Sequence, residues 1–114
     1  MSNLAALFTP IVVGDLTLPH RVFMSSMTRN RSSPTNVPNY LNAEYYRQRA
    51  KGGASLIISE GILVSQQGTT WPNAPGIWSQ EHIQGWKQFT DAVHEEGSKI
   101  FAQLWHGMLA SHLV

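Results

Sequence analysis

The sequence predicts an α/β fold built on a parallel sheet. Three short runs rich in β-branched and aromatic residues alternate with two longer segments of helical periodicity. Each helical segment ends in glycine. No G-x-G-x-x-G or G-x-x-x-x-G-K-[ST] follows a strand run, so the glycine loop that cradles phosphate in nucleotide-binding sheets is missing. That weighs against a small standalone Rossmann-like binding domain, while the pattern alone leaves an open sheet and a closed barrel undecided.

The elements follow in order. Residues 10–19, Pro-Ile-Val-Val-Gly-Asp-Leu-Thr-Leu-Pro, are two extended pieces around Gly14 and Asp15, a hairpin signal. Residues 22–24, Val-Phe-Met, suit a buried strand whose end opens into Ser25 and Ser26. Residues 30–38 are a loop by composition. Asn39 is placed to cap a helix whose apolar face includes Ala43, Tyr46 and Ala50, and Gly52-Gly53 ends it.

Residues 56–58, Leu-Ile-Ile, make the second buried strand, closed by Ser59-Glu60-Gly61. A long loop with Gly68, Pro72, Pro75 and Gly76 follows, and loops of that length inside a compact α/β unit are more often functional than neutral. Ser79 begins the clearest helix. Gln80 and Glu81 fill its first turn, Ile83, Trp86, Thr90 and Val93 keep helical spacing, and Gly97 stops it. Residues 100–105 read as a third strand, with Phe101, Gln103 and Trp105 on one face and Ile100, Ala102 and Leu104 on the other. The order is a hairpin, then β-α-β-α-β.

Composition narrows the function classes. Hydrophobic residues are 42% and charged residues 13% of the 114, which places the chain among globular proteins. The length is well below the ~250 residues of a complete (β/α)8 barrel. Net charge is +1 and the Lys and Arg residues are scattered, so no nucleic-acid partner is expected. Cysteine is absent, which excludes disulfides, Cys-ligated metals and thiol catalysis. His20, His82, His94, His106 and His112 show neither HExxH nor i,i+4 pairing, and no metal site is expected. The first residues lack a basic n-region, and no apolar run approaches the ~20 residues that span a bilayer. No membrane partner and a cytoplasmic location are the expectations.

Three blocks stand in order along the chain: LFTPIVVGDLTLPHRVFMSSMTRNRS, EYYRQRAKGGASLIISEG and APGIWSQEHIQGWKQFTDAVHEEGSKIFAQLWH. Together they resemble the Old Yellow Enzyme family from Leu7 to about Trp105. The resemblance implies a (β/α)8 TIM barrel carrying FMN, with a hairpin closing the barrel bottom. Residues 1–114 are then expected to be the N-terminal part of an FMN-binding barrel domain, incomplete. It also implies NADPH as reductant and an activated alkene, an enone or a nitro compound, as small-molecule substrate.

Functional groups of such a barrel sit at the C-terminal strand ends. At the first, the resemblance places Ser26, Met27 and Thr28 along the flavin ring, with the Thr28 hydroxyl bonding a flavin carbonyl. Taken alone, Thr28 reads as a hydroxyl closing a loop turn. Ser26 departs from a proline common at this place. Gly61 matches a small-residue position where the backbone approaches the flavin; by itself it reads as an ordinary strand-to-loop turn. Gln103 matches a Gln that holds the pyrimidine edge of FMN, and its amide offers both a donor and an acceptor for that edge. Trp71 falls where relatives place a Tyr over the substrate side of the flavin, and otherwise packs the loop. Glu60 reads as a structural hydrogen-bonding group, and no catalytic residue is assigned.

By the same resemblance the substrate-binding pair, the Tyr proton donor and the phosphate-binding Arg belong to later strands. The family pattern His-x-Gly-Arg is replaced by His106-Gly107-Met108-Leu109, so Val114 is expected to be a truncated or altered end rather than a natural barrel boundary. Unpaired sheet edges make an aggregation-prone or partly molten monomer the expectation, unless another barrel piece associates with the chain. The readings in competition are an FMN oxidoreductase and a catalytically inactive barrel fragment.

Overall fold

The computed structural model describes residues 4–107, and the divergence at 108–114 lies outside the described residues. After a 3-10 turn at Leu4–Phe8, strands β1 (Ile11–Val13) and β2 (Leu16–Leu18) pair antiparallel. Val13 faces Leu16 directly, so the turn is the two residues Gly14 and Asp15, and Gly14 takes a φ of +57° that a side chain would strain.

β3 (Phe23–Met24) pairs parallel with β4 (Leu56–Leu63), which pairs parallel with β5 (Lys99–Trp105). β3 is one residue shorter than expected, because Val22 precedes the first pair, Phe23 with Leu56; its carbonyl accepts the Ser55 amide at 3.0 Å, while its own amide turns to His20 Nδ1 at 3.3 Å.

α1 (Tyr40–Lys51) begins with a capping box. Asn39 accepts the Leu41 amide at 2.9 Å, and the Asn42 side chain accepts the Asn39 amide at 3.1 Å. Gly53, at φ +100°, carries the chain away after the helix. α2 (Gln80–Glu95) is capped by Ser79 in the same way, with His82 as the returning partner. His82 Nδ1 accepts the Ser79 amide at 3.1 Å, which puts the ring proton on Nε2, and Nε2 donates to the Thr35 carbonyl at 3.1 Å. One buried histidine therefore caps α2 and pins the loop before α1.

Two expectations need correction. The buried stripe of α2 is His82, Trp86, Phe89 and Val93, whereas Ile83 is 50% exposed. The stripe is centred on Phe89, one position round from the face that Ile83 and Thr90 mark, and the largest side chain decides which face turns inward. The second strand does not close at Ser59-Glu60-Gly61 but runs on to Leu63. Ile58 faces Phe101 and Gly61 faces Gln103, so Ser59 and Glu60 stand opposite the single residue Ala102: a β-bulge. The Glu60 amide donates to the Tyr46 hydroxyl at 2.7 Å, and the Gln103 amide to the Ser59 hydroxyl at 3.1 Å. Side-chain oxygens thus take over where the ladder is interrupted.

Both helices cover one face of the sheet. Met24, Tyr46, Ala50, Ile57, Ile62, Trp86, Phe89 and Val93 form the core between the layers. On the other face Phe23 is 40% and Phe101 39% exposed. Close approach of α2 to the loop before α1 depends on Gly85, where an added Cβ would stand 2.5 Å from the Pro38 carbonyl oxygen. Gly85→Ala should therefore destabilise by about 1–3 kcal/mol through overpacking, although alanine is the better helix former by roughly 1 kcal/mol. Urea unfolding of the variant checks this, and a gain in stability would contradict the close approach.

Candidate functional site

The C-terminal ends of β3, β4 and β5 converge on a pocket of about 230 Å³ lined by Thr28, Gly61, Trp71, Gln103, Leu104 and Trp105. Thr28 arrives on the segment after β3, Gly61 from the far side of the bulge, and Gln103 on β5 directly opposite Gly61. Ile100 and Ala102 line the helix side of the sheet together with Trp86 and Phe89, so strand alternation turns Gln103 and Trp105 the other way.

Gly61 leaves room that no other residue would. A Cβ there would lie 2.9 Å from Cε3 of Trp105. Trp105 in turn stacks on Trp71, centroids 4.7 Å apart with a 28° tilt between planes, so the long loop after β4 supplies one wall. That loop is fastened by backbone bonds: the Leu63 amide donates to Pro75 O at 2.9 Å and the Ile77 amide to Leu63 O at 3.0 Å. The Trp86 indole N–H reaches Gly76 O at 2.8 Å.

Glu60 braces the pocket from behind. It is 1% exposed, and its carboxylate accepts the backbone amides of Arg29 at 2.9 Å and Asn30 at 3.2 Å, the two residues that follow Thr28. Asn42 on α1 adds a longer contact at 3.4 Å. The bulge sets this up, since the extra residue turns Glu60 away from the pocket and towards the helix layer. Burial raises the Glu60 pKa above its ordinary value of 4.5, and the bonds from Arg29, Asn30 and Asn42 oppose that only in part.

A raised carboxyl pKa means that the folded state holds the proton more tightly than the unfolded one. The stability linked to Glu60 is then complete below about pH 4.5 and is lost as pH rises through the raised value. Glu60→Gln removes this titration. The stability gap between wild type and variant should shift in favour of the variant as urea midpoints are taken from pH 4 upwards. A gap that is constant with pH would show that Glu60 titrates normally.

Of the residues singled out from sequence, the structure gathers Thr28, Gly61, Gln103 and Trp71 around one pocket. Ser26 stands at its edge, with Oγ 2.6 Å from Gln103 Oε1. Met27 is 45% exposed and is not among the lining residues. Trp105 and Leu104 line it without having been singled out. For Trp105 the signal was present, because it lies two residues beyond Gln103 on the same face of the strand.

The model of the NADH:flavin oxidoreductase / NADH oxidase family matches residues 6–112. The chain belongs to this family. An NADP-dependent oxidoreductase of Aspergillus flavus, lnbE, is 50% identical over 102 residues, which are 90% of this chain and 27% of that protein. The 12-oxophytodienoate reductase 7 of Oryza sativa is 46% identical over 110 residues, covering 96% of this chain and 27% of its own length. Among solved structures, the old yellow enzyme homologue of Zymomonas mobilis superposes with a TM-score of 0.84 at 50% identity, over 89% of this chain and 28% of that one. The chain thus spans a little over a quarter of the length of these relatives. The Old Yellow Enzyme resemblance and FMN with a nicotinamide reductant agree with the family match.

The pocket fits the ring portion of that cofactor. Its walls are aromatic and apolar, Thr28 and Gln103 supply hydroxyl and amide chemistry, and the missing Cβ of Gly61 admits the Trp105 indole that forms one flat wall. No cationic side chain lines it among the described residues, so nothing in it is suited to the phosphate. The described residues form a three-stranded parallel sheet and no closed barrel, and none of their helices is long and apolar enough to cross a membrane.

Proposed function

We propose that residues 1–114 are the N-terminal portion of a (β/α)8 flavin barrel whose completed form uses NADPH and FMN to reduce activated alkenes, enones or nitroalkenes. The observation that carries this reading is the convergence of Thr28, Gly61 and Gln103, from three successive strand ends, on one pocket.

Bound FMN would supply two-electron chemistry, accepting hydride from NADPH and delivering it to the electron-poor carbon. Thr28 offers a hydroxyl donor to a ring carbonyl, which favours the more electron-rich form of the ring. Gln103 reads the pyrimidine edge with one donor and one acceptor. Gly61 admits the Trp105 indole, and the Trp71–Trp105 stack gives the ring an aromatic wall that excludes water. Ser26 stands at the edge of the ring site beside Gln103, and Trp71 faces the substrate side.

A second reading, an inactive fragment on its own, is favoured by two observations: among the described residues no cationic side chain lines the pocket, and Leu104 on the β5 edge is 64% exposed. Both readings make another barrel piece the expected partner. The deciding experiment co-expresses the chain with the remaining barrel of the Zymomonas mobilis homologue. A co-purifying yellow complex that oxidises NADPH is expected, along with an isolated chain that loses FMN on desalting. Thr28→Ala and Gln103→Ala should each weaken flavin retention about tenfold, the equivalent of a strong hydrogen bond. A well-formed complex without flavin would overturn the reading.

A further inference from the structure

Ser26 Oγ lies between two oxygens, 2.7 Å from the Ser59 carbonyl and 2.6 Å from Gln103 Oε1. A hydroxyl carries one proton, and neither of those oxygens carries any. As placed, two acceptors compete for one donor, and one of the two short contacts sets lone pair against lone pair. The strand cannot slide to relieve this, because the Gln103 amide is tied to Ser59 Oγ at 3.1 Å and Ser59 Oγ donates to Glu60 O at 2.8 Å. A half-turn of the Gln103 carboxamide exchanges its isosteric oxygen and nitrogen and satisfies both contacts. Ser26 then donates to Ser59 O, and Gln103 Nε2 donates to Ser26 Oγ.

We propose that Ser26 is a positioning residue that fixes the Gln103 carboxamide with Nε2 towards Ser26 and Oε1 towards the pocket. The serine passes the acceptor character of the Ser59 carbonyl across two strands, and Gln103 presents an acceptor with one remaining N–H beside it. That pair selects a ring edge with an N–H donor next to a carbonyl, and it rejects the same ring methylated on that nitrogen. Naming this edge as the flavin's rests on the function proposed above; the orientation of Gln103 does not.

The test uses the ¹⁵N-labelled chain as wild type, Ser26→Ala and Ser26→Thr. One Gln103 Nε2 proton should exchange about fivefold or more slowly in wild type and Ser26→Thr than in Ser26→Ala. Equal exchange in all three would overturn the assignment. Riboflavin and 3-methylriboflavin are titrated in parallel. Riboflavin affinity should fall about tenfold in Ser26→Ala and be restored in Ser26→Thr, while the methylated ring binds all three equally weakly. Riboflavin binding that Ser26→Ala leaves unchanged counts against the assignment. Slow exchange without riboflavin binding to any chain would support the orientation and sink the flavin reading instead.

Discussion

Phe89→Ala should remove about 3–5 kcal/mol of unfolding free energy, the range for emptying a buried aromatic site. Phe89 is fully buried at the centre of the only helix-to-sheet core among the described residues. Its ring meets Tyr46 at 4.5 Å and Trp86 edge-on at 4.7 Å, so truncation strips two further aromatic rings of a neighbour. Tyr46 and Trp86 cannot collapse into the space, because their polar ends are committed to the Glu60 amide and the Gly76 carbonyl. A domain of this size has about 5–15 kcal/mol in hand, so the substitution removes a large share of its stability. Urea unfolding followed by far-UV circular dichroism checks this. A midpoint within error of wild type would mean that the helices are not packed on the sheet as described.

Glu60→Ala should be nearly as severe, at about 2–5 kcal/mol, by a different mechanism. The substitution leaves the amides of Arg29 and Asn30 without their acceptor in a place from which water is largely excluded. Asn30 already holds a φ of +52°, a conformation that the carboxylate bond helps to maintain. Losing it should free the segment that carries Thr28, and ligand affinity at the strand-end pocket should fall together with stability. Glu60→Gln separates the two causes, since it keeps an acceptor for the amides while removing the charge. If alanine and glutamine behave alike, the hydrogen bonds are not what holds the segment.

Much of the fold was legible because its signals are local. Asn39 and Ser79 announce their helices through side-chain bonds spanning two or three residues, and Gly53 and Gly97 end them with positive φ. What sequence could not show was non-local. Ser-Glu-Gly reads as a turn, and only the register against β5 reveals a bulge that lets β4 continue to Leu63. Periodicity leaves the inward face of α2 open by one position, since Ile83 and Phe89 fit a helical period equally well and packing against Tyr46 chooses between them. At the site, Thr28, Gly61 and Gln103 were recognisable as separate strand ends, and their meeting in one pocket needed the sheet. The part played by Glu60 in holding the Thr28 segment depends on a contact between residues about thirty apart in sequence, which no local pattern encodes.

We propose that the pocket at the ends of β3, β4 and β5 receives the flavin ring. Chemical-shift mapping of the ¹⁵N-labelled chain during a riboflavin titration tests it most directly, because riboflavin has the ring without the phosphate. Saturable shifts are expected at Thr28, Gly61 and Gln103, and at the indole N–H groups of Trp71 and Trp105, with α1 unmoved. No saturable shift at these positions, or shifts centred instead on the separate pocket of Arg29, Arg31 and Tyr45 against α1, would contradict it.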